Sequence, residues 1–233
     1  DKYTQQKIAA VLSALDAKIE CNSRINAELE AMAKTLYNYW FVQFDFPDQN
    51  GQPYKSSGGK MVYNDTLKRE IPEGWHVTDL GNKIAILNGF AFKSSDYCKE
   101  GIFVLRTKNF NENQTIDRLS DDVYLPFGFV NSHKSYLCKP FDYHLIMVGA
   151  SVGNRGLIYE HLLPALRNQN MWCFRPKSNE VESAFVKQTV DALIEEKKNY
   201  SSGSAREFYT KGNFLEHQIV LPPIPLLADF EEK

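Results

Sequence analysis

At 233 residues, 43 % of them hydrophobic, the chain is long enough for one large domain or for a compact domain with an appended element. No apolar run approaches the ~18 residues of a membrane helix and no leader-like pattern opens the chain, so it reads as soluble and cytoplasmic. A formal net charge of -2 excludes a protein whose whole surface binds nucleic acid; any such binding needs a local basic face or basic partners.

From Ile8 to Trp40 apolar or amide side chains recur alternately four and three residues apart: Ile8, Leu12, Leu15, Ile19, Asn22, Asn26, Leu29, Ala33, Leu36 and Trp40. This is the heptad seam of a coiled coil, uninterrupted by Gly or Pro. A helix of this length extends roughly 50 Å, too long for a compact domain to bury, and suits a spacer or docking rod whose seam must find another helix. Asn22 and Asn26 either select one pairing register or mark where the seam turns to solvent. The rings of Tyr37, Tyr39, Trp40, Phe41, Phe44 and Phe46 close the helix, which is expected to stop at Pro47 and to pack them on a globular body.

Residues 45–74, with Gly51, Pro53, Ser56, Ser57, Gly58, Gly59, Pro72 and Gly74, read as a surface linker. From Trp75 to about Pro225 short apolar runs alternate with turn residues: 84–87, 102–105, 123–125, 145–148, 157–159, 171–174 and 218–221 are expected strands. One helix is expected over 182–198, with Phe185, Thr189, Leu193 and Ile194 on one face. Ser201, Ser202, Gly203 and Ser204 then break it, and a second helical candidate runs from Ala205 to Phe214. The fold class is therefore α+β: a long coiled-coil-forming helix followed by a mixed, strand-rich domain. The chain opens on Asp1 and stops inside a new helical start, and it reads as an excised or engineered piece of a longer protein.

Catalytic signatures are missing from the sequence. Gly149, Gly153 and Gly156 cluster after an apolar run, but no lysine follows and Leu157-Ile158-Tyr159 is strand-like where a nucleotide fold needs a helix. The histidines (76, 133, 144, 161 and 217) and the cysteines (21, 98, 138 and 173) lack metal-ligand spacing, so the former are expected on the surface or in turns and the latter as free thiols. Adjacent carboxylates such as Asp121-Asp122 and Glu195-Glu196 point apart and read as solvated charge. No catalytic residue, metal or cofactor is expected.

The segment Gln5 to Glu20 (QQKIAAVLSALDAKIE), continued by Asn26 to Lys34 (NAELEAMAK), resembles the conserved helix of type I restriction-modification specificity subunits. Tyr39-Trp40-Phe41-Val42, Asp45-Phe46-Pro47 and Ile71-Pro72-Glu73-Gly74-Trp75 look like that helix's exit and the lead into the family's second target recognition domain. Asn88 to Tyr97 (NGFAFKSSDY), Gly149 to Gly153, Asn168-Gln169-Asn170, Gly203-Ser204 and Leu221-Pro222-Pro223 recur in the family's order. The resemblance implies residues 1–44 as spacer helix, 45–74 as linker, 75–225 as target recognition domain and 226–233 as the start of a second conserved helix. It implies a non-catalytic reader of one half of a bipartite double-stranded DNA site. Its partners would be the methyltransferase and restriction subunits, with S-adenosylmethionine held by the methyltransferase. The unpaired seam is expected to self-associate through Ile8, Leu12, Leu15, Ile19, Asn22, Asn26, Leu29 and Leu36. The alternative is a coiled-coil interaction scaffold without DNA affinity of its own.

Base edges are read by Arg or Lys at guanine and by Asn or Gln at adenine, while hydroxyls and backbone amides hold phosphates. Loops rich in these types sit at expected strand ends. They supply Lys93, Ser94 and Ser95; Arg106, Lys108 and Asn109; Ser151, Asn154 and Arg155; and Arg167, Asn168, Gln169 and Asn170.

Overall fold

A computed structural model describes residues 1–179, 181–199 and 210–233, and its chain forms two units. One comprises residues 1–62 and 70–73, the other 63–69 and 74–233.

In the first unit α1 spans Lys2–Tyr37. The Asp1 carboxylate caps it by accepting the Thr4 N–H at 2.8 Å. At 1.5 Å per residue it extends about 54 Å, and its seam is open: Ile8, Leu12, Leu15, Ile19 and Leu29 are 52–63 % exposed. The helix does not run to Pro47. It widens into a π turn at Asn38–Val42 and ends there, because Phe44 takes a φ of 68° and the Asp45 N–H turns back to Tyr39 O at 2.9 Å. The bulge helps bury Tyr37, Trp40, Phe41 and Phe44 together.

The segment read as a plain linker has structure of its own. Asp45 is buried and accepts both the N–H and the hydroxyl of Ser56 at 2.7 Å, and Phe46 stacks on Tyr54 at 4.6 Å. β1 (Met61–Asn64) and β2 (Arg69–Pro72) then pair in a two-stranded sheet. Four-residue strands ringed by glycines leave too little apolar periodicity to be seen in sequence.

In the second unit β3 (His76–Asp79) pairs antiparallel with β11 (Gln218–Leu221), so the start and end of the strand-rich region lie side by side. Between them, β4 (Ile84–Asn88), β10 (Met171–Pro176), β7 (Tyr143–Ile146) and β8 (Arg155–Leu157) form an antiparallel sheet in that order. A second sheet runs β6 (Tyr124–Leu125), β5 (Ile102–Leu105), β9 (Ala165–Arg167), with β5 and β9 parallel. Every residue of β5 is buried, and the two-residue period divides it: Phe103 and Leu105 enter one cluster with Phe110, Ile146 and Met171, while Ile102 and Val104 enter another with Phe92, Leu125 and Leu166. A strand buried on both faces reads as a continuous apolar run, which is why β5 was visible in sequence.

The expected helix is α4 (Ser183–Asn199), preceded by the single turns α2 (Leu80–Lys83) and α3 (Phe129–Ser132). α4 buries Phe185, Val186, Thr189, Val190, Leu193 and Ile194, and it packs on β7 and β10. The serine-rich break and the first half of the second helical candidate fall at 200–209, outside the described residues. Among the described ones, Lys211–Leu215 forms α5. α6 (Ile224–Glu231) starts two residues earlier than expected, behind Pro223, and buries Leu227 and Phe230. Its Glu231 carboxylate accepts the Ala184 N–H at the start of α4 at 2.9 Å.

Candidate nucleic-acid interface

The strand register sets where the expected contact loops lie. Antiparallel pairing sets the C-terminal ends of β4 and β7 on either side of the N-terminal end of β10, through Trp172↔Asn88 and Met171↔Ile146. Parallel pairing of β5 with β9 brings Leu105 beside Arg167. The Asn168–Asn170 turn, which joins β9 to β10, therefore meets the loops that follow β4, β5 and β7.

Backbone hydrogen bonds lace these loops together. Phe90 N–H donates to Arg167 O at 3.2 Å and Gln169 N–H to Phe90 O at 2.9 Å. Asn168 N–H donates to Leu105 O at 2.9 Å, and Met147 N–H to Asn170 O at 2.8 Å. Gly89 permits this approach: a Cβ there would stand 1.7 Å from Asn168 O, so no side chain fits without displacing the turn.

Lys93, Ser94, Ser95, Gln169 and Asn170 are exposed in this group of loops, and Asn154, Ser151 and Asn168 are half-exposed. Asn170 holds a φ of 72°, a left-handed conformation that amide side chains tolerate.

Other expected contact residues are committed elsewhere. Asn109 is fully buried: its amide donates to Asp117 O at 3.0 Å and Asp122 Oδ1 at 2.8 Å, and its oxygen accepts the Arg106 N–H at 3.0 Å. Arg155 does not project at a hairpin tip. It opens β8, with its side chain 8 % exposed, and donates to Asp191 Oδ1 at 2.5 Å and Glu195 Oε1 at 3.3 Å.

Arg167 is 1 % exposed and donates to Asn88 O at 2.9 Å, to Leu137 O at 3.1 Å and to Ser135 O. Three carbonyls satisfy a guanidinium that would otherwise be costly to bury, and in doing so they tie together the bases of three segments. Lys108 pairs with Asp121, whose carboxyl it holds below the usual range, and Arg106 donates to Asp121 O at 2.8 Å. The buried three shape the loops rather than face a ligand.

His144 also departs from expectation, lying fully buried in β7. Its Nδ1 donates to Asp142 O at 3.1 Å and its Nε2 stands 3.8 Å from the Cys138 thiol. Cys138, Asp142 and His144 bring their ligand atoms within 4.8 Å of one another. Yet Arg175 donates to both oxygens of Asp142, at 2.6 and 2.5 Å, and Arg167 lies near the thiol. Those guanidiniums oppose a cation, and the group is a hydrogen-bonded core network.

The pattern missed an aromatic group beside the loops: Phe90, Phe92, Phe129, His133 and Tyr136. The spacing Phe129, His133, Tyr136, four and then three apart, was the signal that could have found it.

A model of the family described as the type I restriction modification DNA specificity domain matches residues 72–226. The chain belongs to this family. Among the specificity domain's curated relatives, the type I restriction enzyme MjaIX specificity subunit of Methanocaldococcus jannaschii is 41 % identical over 85 residues, 36 % of this chain and 18 % of the relative. The EcoAI specificity subunit of Escherichia coli is 31 % identical over 121 residues, 50 % of this chain and 20 % of the relative.

Solved structures share the specificity-domain fold. The HsdS subunit from Thermoanaerobacter tengcongensis matches with a TM-score of 0.50 at 19 % identity, over 98 % of this chain and 50 % of that one. The S subunit from M. genitalium matches with a TM-score of 0.52 at 17 % identity, over 100 % of this chain and 53 % of that one. The chain thus spans about half the length of these solved subunits and 18–20 % of the two curated relatives in their matched segments.

Proposed function

We propose that this specificity domain reads one half of a bipartite DNA target. Its α1 serves as spacer and docking helix for methyltransferase and restriction subunits, which carry the S-adenosylmethionine and the chemistry. The observation that carries this reading is the convergence of the loops after β4, β5, β7 and β9 around Asn168–Asn170, where amide and cationic side chains suited to base edges and phosphates are exposed. Catalysis belongs to the partner subunits, and the place of action is the cytoplasm. Among the described residues no helix is long and apolar enough to cross a membrane.

Reconstitution with a methyltransferase subunit, followed by mapping of methylated bases, tests this. Replacing Asn168, Gln169 and Asn170 together by alanine is expected to change or relax one half-site and leave the other half intact. A wild-type assembly that methylates without site preference overturns the reading. Binding should also weaken steeply with salt, since each neutralised phosphate contributes about -0.9 to the slope of log K against log salt.

The open seam of α1 supports self-association through Ile8, Leu12, Leu15, Ile19, Asn22, Asn26, Leu29 and Leu36. Sedimentation velocity of the isolated chain is expected to show a concentration-dependent dimer, and Leu15→Glu to weaken it by roughly tenfold or more, since 1.4 kcal/mol corresponds to tenfold. A monomer at every concentration rejects this pairing.

A further inference from the structure

A segment outside the expected loops shares their end of the second unit. Leu137 forms an antiparallel bridge with Leu166, and the Cys138 N–H donates to Ala165 O at 2.9 Å. Residues 138 back to 135 therefore run beside β9 toward its C-terminal end, where Arg167 donates to Ser135 O. Residues 131–134 lead into this segment, and His133 reaches the Asn168–Asn170 turn through Phe90, which bridges Asn168. Side-chain contacts agree with the register: the His133 ring sits 4.8 Å from Phe90, whose backbone carries that turn, and 5.4 Å from Phe92, which precedes Lys93.

The imidazole is held rather than free. It stacks on Phe129 at 5.1 Å with planes 12° apart and meets Phe90 edge-on, and Ser132 Oγ lies 2.8 Å from Nδ1. With Nδ1 engaged, Nε2 has no hydrogen-bond partner among the described residues. A fixed ring of this kind presents one polar atom in one direction, which is what discrimination between base edges requires and what a solvated charge does not provide. Asn131 and Lys134 are exposed on either side of it.

We propose that residues 131–134 are a further DNA-contacting element, in which His133 presents Nε2 to a base edge and Lys134 holds a phosphate. The proposal rests on the DNA-reading function above.

The test uses the reconstituted methyltransferase containing this chain and duplexes carrying every single-base variant of its mapped half-site. His133→Phe keeps the stack on Phe129 and removes Nε2. It is expected to lower discrimination at one position by about tenfold, with the other positions and the melting temperature unchanged. Lys134→Gln is expected to weaken all sequences alike and to reduce the salt slope by about 1.

If both variants match wild type while Asn168→Ala relaxes the site, this element is rejected and the DNA-reading function stands. If His133→Phe weakens every sequence equally, the base-edge role is overturned. If the wild-type assembly shows no site preference, the underlying function fails, and this proposal with it.

Discussion

Arg155→Met is expected to destabilise the second unit by about 3 kcal/mol, the size that follows removal of one partner from a buried ion pair. Asp191 is 13 % exposed and takes its hydrogen bonds from Arg155 Nε at 2.5 Å, from the Tyr143 hydroxyl, and from Lys187 at 3.3 Å. Without the guanidinium its carboxylate keeps weaker partners in a half-buried site, and Glu195 loses a partner as well. For a unit of this size the loss lowers the melting temperature by roughly 6–12 °C.

The readout specific to the pair is non-additivity. Arg155→Met combined with Asp191→Asn should cost less than the sum of the single changes by about 1 kcal/mol or more. Asn154→Ala, one residue away but half-exposed, should stay within about 0.5 kcal/mol of wild type. Additive singles, or a melting curve for Arg155→Met that overlays wild type, would show that no such pair stabilises the domain. Because Arg155 also donates to Gly153 O at 3.3 Å, it fixes the base of the Gly149–Gly153 loop on α4.

Arg155 also shows what sequence can and cannot convey. Residue types in the loops after strands give which side chains are available there, but not which way each one turns. An arginine suits a guanine edge and equally suits a cluster of buried carboxylates or carbonyls, and Arg155 and Arg167 take the second role. Asn109 does likewise. By contrast, α1 was legible almost to its end, since a heptad seam over eight turns has few other structural solutions.

β7 was expected two residues late, at 145–148, because it opens on Tyr143 and His144 outside the apolar run, while the run of β5 was legible for a related reason, every one of its side chains being buried. β9 was not, because it is three residues long and ends in a charged one. The convergence of the loops on Asn168–Asn170 depends on the β5–β9 and β4–β10–β7 pairings. Such long-range register leaves no local trace.

His144 is expected to make the domain acid-sensitive in a defined window. Burial pushes its imidazole down to about 4 from an unfolded value of 6.5; the nearby Asp142 works against this shift, and Arg167 works with it. A folded-state value below the unfolded one means that the unfolded chain binds a proton first. Stability therefore falls as pH drops through 6.5 and stops falling from this source once the folded state also protonates near 4. A gap of this size amounts to about 3 kcal/mol across the window, at about 1.4 kcal/mol per pH unit.

Protonation would also remove the acceptor that faces the Cys138 thiol and set a cation beside Arg167 and Arg175. Carboxylates add their own acid dependence, so the decisive comparison is with His144→Gln, which stays neutral. Urea unfolding at pH 7 and pH 4.5 should show wild type losing about 2–3 kcal/mol more than the variant between the two conditions. Equal losses would mean that the buried imidazole is not the group that titrates.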